Sequence, residues 1–273
     1  MPRDADIAAA ATVLPTMPAM KTLLIYDDLV ALNREQHRHL KLAPPTRPFA
    51  FARETNSVPI AASELPAAVL DFPCVFVEGA DGHSIAALVG LRDHENLFVR
   101  PDGHWARGAY LPAFFRRYPF VLAEAAGDPT YTVCLDRACP GLNTEKGEAL
   151  FGAEGQETPW LEEIKRFLLS FRQEMAVSRD FANQMAALEL LQDGAIEYVL
   201  DGQKVALRGF KTINEAKLRT LGAATRHDLA TKGWLGWAYA QLLSIQQVQR
   251  LALRLDDRRA LDTAERNAAG STH

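Results

Sequence analysis

The chain has 273 residues, 48% of them hydrophobic and 23% charged, with a formal net charge of −4. That is the composition of a folded globular protein able to bury a sizeable core, and it gives no electrostatic footprint for nucleic acid or for an anionic membrane surface. Three cysteines, Cys74, Cys134 and Cys139, make no disulfide framework, and no apolar run reaches bilayer-spanning length, which excludes a disulfide scaffold and a permease built on spanning helices.

In chain order, residues 1–20 read as a disordered tail. Asp4 and Asp6 stand where a secretion signal needs basic residues, and Pro15 and Pro18 interrupt its apolar part. The expected location is therefore cytoplasmic, the alternative being export or peripheral surface association by a signal-less route. From residue 21 to about 155, short apolar runs alternate with turns. Strands are expected at 22–26 (TLLIY), 49–52 (FAFA), 74–77, 85–91, 96–99, 120–123 and 131–135, with turn chemistry at 101–103 (PDG).

One phrase occurs twice. Residues 65–80 read LPAAVLDFPCVFVEGA and residues 111–126 read LPAFFRRYPFVLAEAA. Leu65/Leu111, Pro66/Pro112, Ala67/Ala113, Pro73/Pro119, Val75/Val121, Glu78/Glu124 and Ala80/Ala126 are identical, where composition alone gives roughly one identity in such a window. Leu-Pro-Ala opens a short helix, since proline suits the first helical turn, and the second proline ends it and turns the chain extended. The repeat is a duplicated helix-proline-strand unit.

After residue 155 the period becomes helical. Thr158 can cap and Pro159 can start a helix carrying Trp160, Ile164, Phe167, Leu168, Phe171 and Met175 inward. A second helix is expected over 180–191, stopped by Gly194. A hairpin follows at 196–207 with Asp201-Gly202 as its turn. A short helix over 212–221 uses Thr212 and Glu215 as a capping box. The last long helix spans 233–255 with Trp237, Leu243, Val248 and Leu251 on its inner side, after which the polar residues 257–273 read as a flexible tail. The fold class is α+β: a mixed or mainly antiparallel sheet carrying the duplicated unit, covered by C-terminal helices and one hairpin, in a single domain over 21–256.

No nucleophile elbow, phosphate-cradling glycine loop or zinc-knuckle spacing is present in the sequence. His37 and His39 are the candidate metal ligands, although their spacing is not diagnostic. Arg116, Arg117 and Tyr118 in the second copy, and Trp234 and Trp237 further on, are the candidate partner-binding residues, read against solvated charges and core packing respectively. No cofactor is expected, and an enzymatic role is the weaker reading.

Several segments resemble a known family. Leu32-Asn33-Arg34-Glu35-Gln36-His37, Phe51-Ala52-Arg53 followed by 56–60 (NSVPI), Glu64-Leu65-Pro66-Ala67 and 95–99 (ENLFV) are similar to the first half of the SapC family of bacterial proteins. The string 110–120 (YLPAFFRRYPF) is the most specific match, and 209–218 and 239–244 (YAQLLS) fit the second half. The resemblance implies surface-layer association, from the locus that gave the family its name, and neighbours such as TonB-dependent receptors, cupin-like proteins and flavin-dependent tryptophan halogenases. It carries over no catalytic residue set. The expected function is a non-enzymatic accessory protein with a protein or peptide partner at surface-layer or outer-membrane uptake systems. The alternatives are a metal-dependent enzyme or a peptide-binding module working beside those neighbours.

Overall fold

The computed structural model describes residues 25–80, 82–124, 131–200 and 203–270. The expected tail at 1–20, the first part of 22–26 and the Asp201-Gly202 turn lie outside them. The elements in order are β1 (Leu29–Ala31), α1 (Arg34–His37), β2 (Lys41–Leu42), β3 (Ser57–Pro59), α2 (Leu65–Ala68), β4 (Cys74–Gly79), β5 (Gly82–Leu88), α3 (Ala113–Arg116), β6 (Phe120–Glu124), β7 (Tyr131–Asp136), β8 (Leu142–Asn143), β9 (Glu148–Ala149), α4 (Pro159–Ala187), β10 (Leu191–Leu200), β11 (Gln203–Ile213), α5 (Glu215–Arg219), α6 (Ala223–Thr231), α7 (Trp234–Ser244) and α8 (Gln247–Gly270). The class is α+β with antiparallel pairing throughout the named strands.

Both copies of the repeated phrase fold as read: α2 then β4 in copy one, α3 then β6 in copy two. Each strand forms a hairpin with the next, β4 with β5 and β6 with β7, and each hairpin takes a third strand on the same side. In copy one that strand is β3, just upstream; in copy two it is the distant β1. Copy one is extended by β11 and β10 into a five-stranded sheet of order β10-β11-β4-β5-β3, whereas copy two remains β1-β7-β6. A small third sheet has the order β8-β2-β9. The core runs from Ile25 to Leu255 and is rich in Phe72, Phe76, Phe98, Phe114, Phe115 and Phe181.

Five expectations are corrected. Ile25 and Tyr26 are not in a strand; Asp27 and Asp28 donate their N–H groups to the buried Asp136 carboxylate at 3.1 and 2.9 Å, which tethers this entry segment before β1 begins. The apolar run at 49–52 is a 3₁₀ turn over Ala50–Ala52, a short run that periodicity cannot assign. Residues 96–99 form no strand beyond an isolated bridge from Val99 to Trp105. The two helices expected over 160–191 are one, α4. The apolar stripe is interrupted at Ser178, but Ser178 faces inward, its Oγ accepting from Ala62 N at 2.6 Å and donating to the Glu174 carbonyl at 2.5 Å. The helix ends before Gly194, at Leu188, with Glu189 in the left-handed region (φ 52°). Gly194 instead lies at a bulge in β10 beneath the Phe210 ring, where a Cβ would come within 2.2 Å of that ring.

The C-terminal helices differ as well. Thr212 is in β11, and Asn214 caps α5, its side chain accepting from Lys217 N at 3.0 Å. The span 233–255 is divided between α7 and α8, and of its expected inward residues Val248 and Leu251 are buried whereas Leu243 faces outward. Ser244 Oγ donates to the Gln241 carbonyl at 2.5 Å, competing for an acceptor that a continuous helix would use. α8 then continues past Asp256 to Gly270; its alanine, arginine and leucine content has high helix propensity.

Candidate functional site

α7 presents an inverted pattern. Its buried positions are Ala238, Gln241 and Ser244, two of them polar, while Tyr239 and Leu243 are 39% and 61% exposed. An amphipathic surface helix ordinarily does the reverse.

The inward side has a structural explanation. β11 pairs with β4 at Lys211 and Phe76, so Ile213 and Cys74 are the next partners in register. Between them sits the Gln241 carboxamide: its Oε1 accepts from Ile213 N at 3.0 Å and its Nε2 donates to the Cys74 carbonyl at 2.9 Å. A side-chain amide replaces a peptide group in the ladder. Ser244 Oγ then accepts from Cys74 N at 2.9 Å. Burial pushes the Cys74 thiol up to about 12, which disfavours its thiolate.

The outward side has no such partner among the described residues. Tyr239 and Leu243 are one helical turn apart and so share a face. α2 packs on α7, and the turn after it carries Leu70, 64% exposed, whose carbonyl accepts from Arg250 of α8. Leu253 on α8 is also exposed.

The sequence-predicted residues are distributed as follows. Arg116 is exposed, with its guanidinium over the Phe167 ring at 5.4 Å. Arg117 is only 7% exposed, its guanidinium over the rings of Phe114, Phe171 and Tyr26 at 4.1, 5.4 and 5.7 Å. Burial lowers the Arg117 pKa, and burial raises that of Tyr26 to about 12 despite the opposing arginine charge. Arg117 is thus packed inward, unlike its neighbour. Tyr118 is half-buried and stacked on Phe51 at 3.8 Å; burial pushes its phenol up, reinforced by Cys139 and Asp136. Trp234 and Trp237 are half-buried edge-on to Phe181, at 5.9 and 5.5 Å. Since Phe167 and Phe181 are fourteen residues apart on α4, Arg116 and the tryptophans are separated by about 21 Å along that helix. They do not converge on one groove.

His37 is buried, and its Nδ1 accepts from Asn33 N at 2.9 Å. His39 is exposed. Among the described residues no three His, Cys, Asp or Glu side chains come together as metal ligands.

Sequence reading missed Glu64, Gln241 and Ser244. Glu64 is buried beside copy one, its Oε2 accepting from Ala61 N at 2.8 Å and its Oε1 from the Tyr110 hydroxyl and Ala113 N at 2.9 and 2.8 Å. Asp71 accepts from Tyr110 N at 2.8 Å. The strings at 64–67 and 110–113 are therefore the two sides of one joint, and the string at 239–244 is the clasp on β4.

These joints lie within the segments that carry the resemblance, and the sequence profile of the SapC family matches residues 32–251. The chain belongs to the SapC family. Neither curated proteins nor solved structures give a match. No helix among the described residues is long and apolar enough to cross a membrane.

Proposed function

We propose that this SapC-family chain is a non-enzymatic accessory protein that captures a protein partner belonging to a bacterial surface-layer or outer-membrane uptake system. The observation that carries the reading is the outward face of α7. Its inner positions hold polar groups committed to the sheet, and its outer positions hold Tyr239 and Leu243. Leu70, on the turn after the helix α2 that packs on α7, is exposed as well, and exposed apolar side chains of this kind are what a protein partner covers. The partner's matching surface is apolar. Arg116 is exposed and lies apart from the α7 face, so its charge contributes to association rate more than to affinity.

Affinity purification from the native host with the unaltered chain, Leu243→Asp and Tyr239→Asp tests this. The unaltered chain recovers a surface-layer or uptake component, and both variants lose it while keeping their circular dichroism. Recovery of no stable partner under gentle conditions, or equal recovery by all three chains, overturns the reading.

A further inference from the structure

The two sides of β7 are paired to different lengths. Toward β6 the ladder runs from Tyr131 to Leu135. Toward β1 it covers only Cys134 to Asp136, with one further bond from Leu32 N to the Val133 carbonyl at 2.7 Å. Upstream of that, the chain opposite leaves the sheet. Asn33 caps α1, its side chain accepting from Glu35 N and Gln36 N while its own N–H goes to His37. Backbone groups alternate sides along an antiparallel strand. The Tyr131 N–H and C=O are in phase with those of Val133 and face the place where β1 has stopped.

No described residue pairs with this edge at Tyr131, and the stretch forms one wall of a cleft of about 450 Å³. Leu32, Val133 and Phe151 give it an apolar lining, and Arg34, Glu157 and Lys165 border it. Lys165 is committed to Glu157, at 2.8 and 2.9 Å from its two carboxylate oxygens. Arg34 makes no hydrogen bond or ion pair among the described residues. Its stem lies against Gly155 (φ +82°), where a Cβ would come within 3.2 Å of Arg34 Cδ. The cleft thus carries one uncompensated positive charge.

We propose that this cleft binds a short extended peptide that adds to the open edge of β7 and sets its C-terminal carboxylate on Arg34. Each part of the ligand follows from a part of the cleft. An unpaired strand edge recognises peptide backbone. The volume is that of a small-ligand site, and the apolar lining takes a side chain. A single free arginine balances a monoanion and not a phosphate dianion, and its fork pairs with a carboxylate through two hydrogen bonds. The site is distinct from the outward face of α7 and does not depend on the reading of that face.

Calorimetric titration of the full chain with the tripeptide Ala-Leu-Val tests the proposal, alongside its C-terminal amide, its N-methylated forms and inorganic phosphate. The free acid binds saturably, and the amide binds about tenfold more weakly, as loss of a charge-assisted bidentate contact predicts. At least one N-methylated form also loses affinity. Arg34→Gln, at an exposed position, removes the difference between acid and amide; Arg34→Lys retains part of it. No binding at millimolar peptide, equal binding of acid and amide, or indifference to N-methylation at every position overturns the proposal. So does displacement of the peptide by equimolar phosphate, which would mark a general anion site.

Discussion

The two copies of the repeated phrase share a backbone plan and differ in what surrounds them. In copy one, β4 is an interior strand between β11 and β5, and its first residue is held by Gln241 and Ser244. In copy two, among the described residues, β6 is an edge strand and β7 is open along part of one side. The last two unshared positions of each copy take the same direction and differ in chemistry. Leu70 and Arg116 both face solvent. Asp71 and Arg117 both turn inward, the first to Tyr110 N and the second to three aromatic rings. The shared backbone plan does not fix burial at every position, since Pro66 is exposed and its equivalent Pro112 is buried; the neighbours decide that. Copy one is built into the rest of the chain, and copy two retains free surface.

The contact that joins the copies predicts the largest effect. Glu64→Ala removes the acceptor of three donors, two of them buried backbone N–H groups. At about 1–2 kcal/mol for each, the loss is about 4 kcal/mol. Urea unfolding measures it, and an unchanged midpoint would mean that the copies are held together elsewhere. Next is the clasp found only on copy one. Gln241→Leu leaves Ile213 N and the Cys74 carbonyl buried without partners, at a cost of about 3 kcal/mol. Amide hydrogen exchange localises the effect: protection falls in β4 and β11 and is retained in β6 and β7. Equal loss in both sheets would break the distinction drawn between the copies.

The paired arginines of copy two give a smaller and sharper contrast. Arg117→Ala empties a buried aromatic enclosure and costs about 2 kcal/mol, from lost packing and cation–π contact. Arg116→Ala, at the exposed position beside it, changes stability by less than about 0.5 kcal/mol. Thermal unfolding of the two single variants separates them, and equal midpoints would refute the inward assignment of Arg117.

The sequence carried the local part of this architecture. Thr158 and Pro159 mark the start of α4, the repeated Leu-Pro-Ala marks both short helices, and the alternation around 196–207 marks the β10–β11 hairpin. The joints were not legible, because each satisfies a backbone group far away in sequence: Gln241 meets Cys74, and Glu64 meets Ala113. Their signal was a polar residue on a line that should be apolar. Ala238, Gln241, Ser244 and Val248 follow one inward stripe of α7 and the start of α8, yet Tyr239 and Leu243 are more hydrophobic and face outward. The paired Arg116 and Arg117 misled in the opposite sense, since charge alone does not say which of two adjacent residues a helix turns inward. Arg34 could not be singled out because the cleft beside it is assembled from three distant segments.

The smallest effect concerns why copy two keeps an open edge at all. β1 stops where Asn33 turns its N–H to His37 Nδ1, an acceptor only while the imidazole is neutral. Burial, and then the nearby Arg137 charge, lower the His37 pKa below its ordinary 6.5. The folded chain therefore binds fewer protons than the unfolded chain in this range. The stabilisation is fully present above pH 6.5 and is lost as pH falls toward the folded value. Acidification should thus loosen α1, seen as faster exchange of the amide hydrogens of Glu35 and Gln36 after correction for intrinsic rates, before any change in β4 or β5. His37→Gln keeps a side-chain acceptor that does not titrate, and should flatten this response between pH 7 and pH 5. If the response persists in that variant, the turn away from β7 is controlled by another group, and the open edge is not held by His37.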